Sequence, residues 1–160
     1  MLRLAFALML AALPVMAAEP APVTVMQPSE YAQSVGQFDY AAHTIKLERF
    51  TELANSPQSV VVDLRSHEAY DAGHYKGAKW LGPDVTAEAL AAIAPDKAAT
   101  LLFYCTNSLM ATRMISLTDV ALPQAAQLGY ANVFKLERIW DEAGHSPEAD
   151  LALFAAEKAD

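Results

Sequence analysis

Ser59-Val60-Val61-Val62-Asp63-Leu64-Arg65-Ser66-His67-Glu68-Ala69-Tyr70-Asp71-Ala72-Gly73-His74-Tyr75-Lys76-Gly77-Ala78 opens with a β-branched run that is apolar on both faces. That is the pattern of a strand buried in the middle of a parallel sheet. Ser66 to Tyr70 reads as a short helical turn. Leu101-Leu102-Phe103-Tyr104 repeats the buried-strand pattern and gives way to the polar turn Cys105-Thr106-Asn107-Ser108.

Outward from these two runs, strands alternate with helices. A short strand at Thr44-Ile45-Lys46 precedes a helix whose Leu47, Phe50, Leu53 and Ala54 share one face. A strand is expected at Lys79-Trp80-Leu81, a helix from Asp84 to Ala94 stopped by Pro95, and a last strand at Asn132-Val133-Phe134-Lys135-Leu136. Between Cys105 and Leu128 the pattern is helical, but Pro123 is expected to interrupt it, so Ala111 to Leu122 is read as an extended loop or an extra helix. The alternation implies an α/β fold, and open sheets of that kind place ligands beyond the carboxyl ends of their strands. Cys105 falls at such an end.

The beginning of the chain reads as an export signal. Met1-Leu2-Arg3 is followed by the apolar stretch Leu4 to Leu13 and by the small-residue pattern Val15-Met16-Ala17-Ala18, with cleavage expected after Ala17. The stretch is too short to span a bilayer comfortably. Residues 1–17 are therefore read as a signal peptide, 18–42 as an extended arm rich in Pro, Ala, Val and Gln, 43–150 as one domain and 151–160 as a tail. The expected location is the periplasm or the extracellular space, with no membrane association after cleavage.

The composition narrows the function. The formal net charge is −8, from 11 basic and 19 acidic side chains. Cleavage of the signal removes one of the basic ones, Arg3. An acidic chain without clustered Lys and Arg argues against nucleic acid as a partner. Cys105 is the single cysteine, so no internal disulfide forms and no multi-thiolate metal site exists. In an oxidising compartment an unpaired thiol points to reactivity or to an intermolecular bond. A sulfur at the end of a strand, cupped by the N–H groups of a following helical turn, is placed to act as a nucleophile. Most free cysteines are nonetheless small buried hydrophobes.

The chain resembles the rhodanese-like domain family. The resemblance rests on the apolar strand followed by Asp63-Leu64-Arg65, the acidic Glu68 and Tyr70, and Gly73-His74-Tyr75-Lys76-Gly77-Ala78. It continues through the Cys105 strand to Gly129-Tyr130-Ala131-Asn132-Val133-Phe134-Lys135-Leu136 and closes on Trp140 and Gly144, covering about residues 43 to 147. It implies a three-layer fold with a central five-stranded, mostly parallel sheet and helices on both faces. It further implies that Cys105 carries a sulfane sulfur as a persulfide, taken from a small donor such as thiosulfate and passed to cyanide or a thiol, with no metal or organic cofactor. The loop Thr106, Asn107, Ser108, Leu109 and Met110 would hold the persulfide. Asp63, Arg65, Glu68 and His74 would form a buried polar network, and Gly73 and Gly77 would supply backbone freedom.

Two departures from the family pattern stand out. Its usual Cys-x-x-Gly-x-Arg loop here reads Cys105-Thr106-Asn107-Ser108-Leu109-Met110, with Ser108 for the glycine and Met110 for the arginine. A thioether offers no planar fork to a sulfonate oxygen. Arg113, about one helical turn beyond Met110, is the candidate replacement. The segment from Cys105 to Gly129 is also longer than usual. These departures leave three readings open beside sulfur transfer: a non-catalytic binding module on the same fold, a thiol-redox protein whose cycle needs a partner protein's thiol, and a soft-metal site of Cys105, Met110 and Met114 for copper(I).

Overall fold

A computed structural model describes residues 36–158; the segment read as a signal peptide and most of the arm lie outside the described residues. In chain order the elements are β1 (Thr44–Ile45), α1 (Leu47–Ala54), β2 (Ser59–Asp63), α2 (His67–Ala72), β3 (Lys79–Trp80), α3 (Ala87–Ile93), β4 (Thr100–Tyr104), α4 (Thr106–Leu109), α5 (Leu117–Gln127), β5 (Asn132–Leu136) and α6 (Glu148–Leu153). The strands form one sheet in the order β1-β5-β4-β2-β3, and every pairing is parallel. The expected five-stranded parallel α/β sheet is the one observed. Among the described residues no helix is long and apolar enough to cross a membrane.

Strand alternation sorts the core into two layers. Val62, Leu101, Phe103 and Cys105 share a cluster with Leu90 of α3 and with Ala121, Leu122 and Ala125 of α5. Val61, Leu102 and Tyr104 face the other way, onto Phe50 of α1 and Phe154 beyond α6. The central strands β2 and β4 are thus apolar on both sides because each side is roofed by helices. Burying one such side chain stabilises the fold by about 1.5–3 kcal/mol.

From β2 the chain runs to the edge strand β3, then returns to β4 and continues on the other side to β5. The direction of winding therefore reverses between β2 and β4. Their carboxyl ends form a topological switch point, where an open α/β sheet leaves a crevice. Asp63 ends β2, and Cys105 follows Tyr104, the residue paired with it in register.

Local chemistry explains where the observed elements differ from the sequence reading. The helix expected from Asp84 begins at Ala87, because the Thr86 hydroxyl caps it by accepting from Ala89 N. Pro123 does not interrupt its helix; α5 runs through it. A proline there cannot bond the carbonyl four residues earlier, that of Asp119, and the Tyr40 hydroxyl donates to that carbonyl instead at 2.9 Å. Tyr40→Phe is expected to lower stability by about 1 kcal/mol, and by less when combined with Pro123→Ala, which restores the missing N–H. A double-mutant cycle by urea unfolding checks the coupling; strict additivity would count against it.

Residues at both ends pack on the domain. Phe38 and Tyr40 lie against the α3/α5 layer. Phe154 is 2 % exposed, and its ring lies 4.9 Å from that of Tyr104 and 5.5 Å from that of Tyr75. Beyond it, Glu157 exchanges two backbone hydrogen bonds with His74, an isolated antiparallel bridge.

Candidate active site

Asp63, fully buried at the end of β2, is the hub of the turn that follows. Its carboxylate accepts from Arg65 N at 2.8 Å, from Arg65 Nε at 3.0 Å and from Arg65 Nη2 at 2.6 Å. The parallel register brings Tyr104 alongside, and its hydroxyl donates to the same carboxylate at 2.5 Å. The Tyr104 oxygen in turn accepts from Tyr75 N at 3.2 Å, while Arg65 Nη2 reaches Gly73 O at 2.8 Å. Burial pulls the Arg65 guanidinium down in pKa, but hydrogen bonding and the charge of Asp63 outweigh it and hold it above its ordinary value. The Tyr104 phenol is pushed far up, first by burial and then by the Asp63 charge. Both stay protonated, so the network is a fixed brace.

The other residues singled out in this region divide between two places. Glu68 does not join the buried network; it is exposed in the first turn of α2, where its charge complements the helix dipole. His74 is buried, stacked on the Tyr70 ring at 3.8 Å, with Nδ1 donating to Tyr70 O at 2.9 Å and Nε2 3.8 Å from the Glu157 carboxylate. Gly77 has φ +73, a conformation open to glycine, and its N–H donates to the Glu157 side chain. Gly73 is extended rather than left-handed; a side chain there would meet the Ala155 backbone at 3.0 Å.

Cys105 is the N-cap of α4, a single helical turn. The Ser108 hydroxyl accepts from Cys105 N at 3.3 Å and Ser108 N donates to Cys105 O at 3.0 Å, so the two residues close the turn on each other. Ser108 in place of glycine is thus used to close the loop. Ahead of it, the N–H groups of Thr106 and Asn107 have no intrahelical acceptor four residues back. The carbonyls of α4 are held from the segment after β5: Trp140 Nε1 donates to Asn107 O at 2.7 Å, Ile139 N to Ser108 O at 2.9 Å, and Ser146 Oγ to Leu109 O. The Leu109 side chain is buried in the α1/α6 layer.

A strap, residues 110–116, leads from α4 back to the sulfur. Asn107 pins it, donating from Nδ2 to Met114 O at 2.9 Å and accepting at Oδ1 from Thr112 Oγ1 at 3.3 Å. At its end the Ser116 hydroxyl lies 3.9 Å from Cys105 Sγ and 2.9 Å from Thr118 Oγ1. That explains why Ser116, the N-cap of α5, caps no N–H of its own helix. At its start, a Cβ on Gly144 would stand 3.1 Å from that of Ala111. Cys105 is 1 % exposed, whereas Met110, Met114 and Ile115 are 51 %, 67 % and 79 % exposed. Arg113 is exposed on the same strap.

Beside the loop lies an open cavity of about 290 Å³ whose lining includes Ser108, Ser116, Thr118, Lys135, Arg138 and Trp140. Lys135 is paired with Asp119. Ser116 both touches the Cys105 side chain and lines this space, and Ser108, bonded to the Cys105 backbone, lines it from the loop. The sequence reading missed Ser116, Thr118, Lys135 and Arg138; a Ser-x-Thr pair ahead of an apolar helix was the available signal for the first two.

Fold and site together define an α/β domain with a lone cysteine at the switch point of a parallel sheet. The family model of the rhodanese-like domain matches residues 46–142, and the chain belongs to that family. A tRNA uridine(34) hydroxylase of Sodalis glossinidius is 28% identical over 99 residues, 59% of this chain and 26% of the relative. The chain thus spans about a quarter of the curated relatives it matches. Among solved structures, the BH2092 protein of Bacillus halodurans has a TM-score of 0.50 at 19% identity, covering 70% of this chain and 77% of its own. EanB, solved with a cysteine persulfide and ergothioneine, has a TM-score of 0.50 at 20% identity, covering 65% of this chain and 27% of its own. These likenesses are of fold.

Proposed function

We propose that this protein is a sulfur carrier in which Cys105 accepts a sulfane sulfur and passes it on. The observation that carries the reading is the position of Sγ: at the switch point, on the N-cap residue of a helical turn, with a polar cavity on the far side of Ser108 and Ser116. With thiosulfate as donor, the Cys105 thiolate attacks the outer sulfur. The S–S bond to the sulfonate breaks, sulfite leaves with the bonding pair, and a persulfide anion remains on Cys105. Cyanide or a thiolate then takes the terminal sulfur and regenerates the thiolate. The N–H groups of Thr106 and Asn107 and the Ser116 hydroxyl are the donors available to that anion. No metal or organic cofactor enters the balance. The leader-like residues 1–17 support an exported protein that works outside the cytoplasm.

The test is the intact mass of the reduced protein after incubation with thiosulfate and, separately, with polysulfide. The expected result is a gain of one sulfur atom that cyanide removes and that Cys105→Ser lacks. A second reading is favoured by the burial of Cys105 beside a strap whose Met110, Met114 and Ile115 are exposed: a binding module that meets its partner through that strap. No gain from either donor would replace the sulfur-carrier reading with this one.

A further inference from the structure

Of the features outside the cysteine loop itself, the cavity beside it carries the argument furthest. We infer that this cavity receives the anionic group of the sulfur donor and that Arg138, rather than a residue of the loop or of the strap, is what recognises it. The inference rests on the sulfur-carrier reading and names the class of donor: one bearing a sulfonate or similar oxyanion beside its transferable sulfur.

Three observations place Arg138 there. Its guanidinium carbon lies 4.7 Å from the centroid of the Trp140 ring, and Trp140 Nε1 is bonded to Asn107 O, two residues from Cys105. The indole is therefore fastened to the cysteine loop and carries the guanidinium with it. A guanidinium held over an aromatic ring by cation–π attraction still has N–H groups to offer the oxygens of an anion.

The second observation is the state of the cations. Lys135, the other cation of the cavity, is paired with Asp119, whereas Arg138 has no ion pair among the described residues. Glu137 also lines the cavity and is exposed; no hydrogen bond or ion pair joins it to Arg138. Third, the remaining lining is rich in donors that suit oxyanion oxygens, with the hydroxyls of Ser116 and Thr118 next to the sulfur. Met110, in the place of the family's loop arginine, is exposed and has no such donor. Arg113 does not line the cavity.

The experiment separates anion binding from sulfur transfer. Cys105→Ser protein, which accepts no sulfur, is titrated by calorimetry with thiosulfate and with sulfite, alone and with Arg138→Gln, Arg113→Gln or Arg49→Gln added. Saturable binding weakened about tenfold by Arg138→Gln, and unchanged by Arg49→Gln, which alters net charge equally, is the expected result. Equal binding with and without Arg138, no binding at all, or a loss that follows Arg113 instead would overturn the inference. Persulfide formation in the unaltered protein is scored separately by mass. A persulfide with Arg138-independent binding sinks this inference alone; Arg138-dependent binding without persulfide sinks the sulfur-carrier reading and leaves an anion site.

Discussion

Asp63→Ala is expected to destabilise the domain by about 3–5 kcal/mol, the range for removing one partner of a buried ion pair. That is a large share of the 5–15 kcal/mol by which domains are typically stable. The loss goes beyond one interaction. The Arg65 side chain, 11 % exposed, is left without its carboxylate, and the Tyr104 hydroxyl and Arg65 N lose their acceptor. Tyr104→Phe supplies a milder version, expected to cost about 1–3 kcal/mol because Tyr75 N then loses its partner. Urea unfolding measures both. A cost below about 1 kcal/mol for Asp63→Ala would show that the brace between β2 and β4 is not what holds the switch point in shape.

The second large effect concerns access to the sulfur. Asn107→Ala removes both side-chain hydrogen bonds that pin the strap, those to Met114 O and from Thr112 Oγ1, without touching the core. At about 0.5–1.5 kcal/mol each, their loss shifts the strap toward open states by roughly ten- to hundredfold. The rate of Cys105 alkylation by iodoacetamide is expected to rise by the same factor, and the melting temperature to fall by several degrees. Thr112→Val removes one of the two together with the bond from Met114 N to Thr112 Oγ1 at 2.8 Å, and should raise the rate by a comparable factor. An alkylation rate unaltered in Asn107→Ala would mean that the thiol is reached by a route that leaves the strap in place.

Much of this fold is legible in local pattern. Within the Ser59–Asp63 and Thr100–Tyr104 runs, Val60 to Val62 and Leu101 to Tyr104 are apolar on successive positions because helices cover both faces of the sheet. Leu47, Phe50 and Leu53 announce α1 through their spacing. What escapes such reading is created by distant pairing. Nothing near Pro123 signals that Tyr40 will satisfy the carbonyl it orphans, and the usual proline rule therefore misplaces a break in α5. Glu68 looks like part of the polar cluster only because it is adjacent in sequence to residues that are. Its helix turns it to solvent.

The site is legible in the same uneven way. Cys105 and its loop stand out because a lone cysteine follows a buried strand. The roles of Ser108 as a cap partner, of Ser116 against the sulfur and of Asn107 as the pin of the strap depend on a chain path that doubles back after α4. Trp140 and Gly144 were visible as motif residues, but their task, holding the cysteine loop and admitting Ala111 at close range, appears only once β5 is laid beside β4.

The bridge between His74 and Glu157 bears on how the domain can be excised and joined to other proteins. The family match ends at residue 142, but a piece cut there would lack Ser146, which holds the end of the cysteine loop, and Phe154, which closes the aromatic stack over Phe50, Tyr75 and Tyr104. It would also lack Glu157, whose carboxylate fastens Gly77 from 80 positions away. The natural splice point for a tag or a fused partner is therefore after residue 158, some way past the end of the recognisable motif, and a shorter piece would carry the signature of the family without the closure that keeps its loop in place.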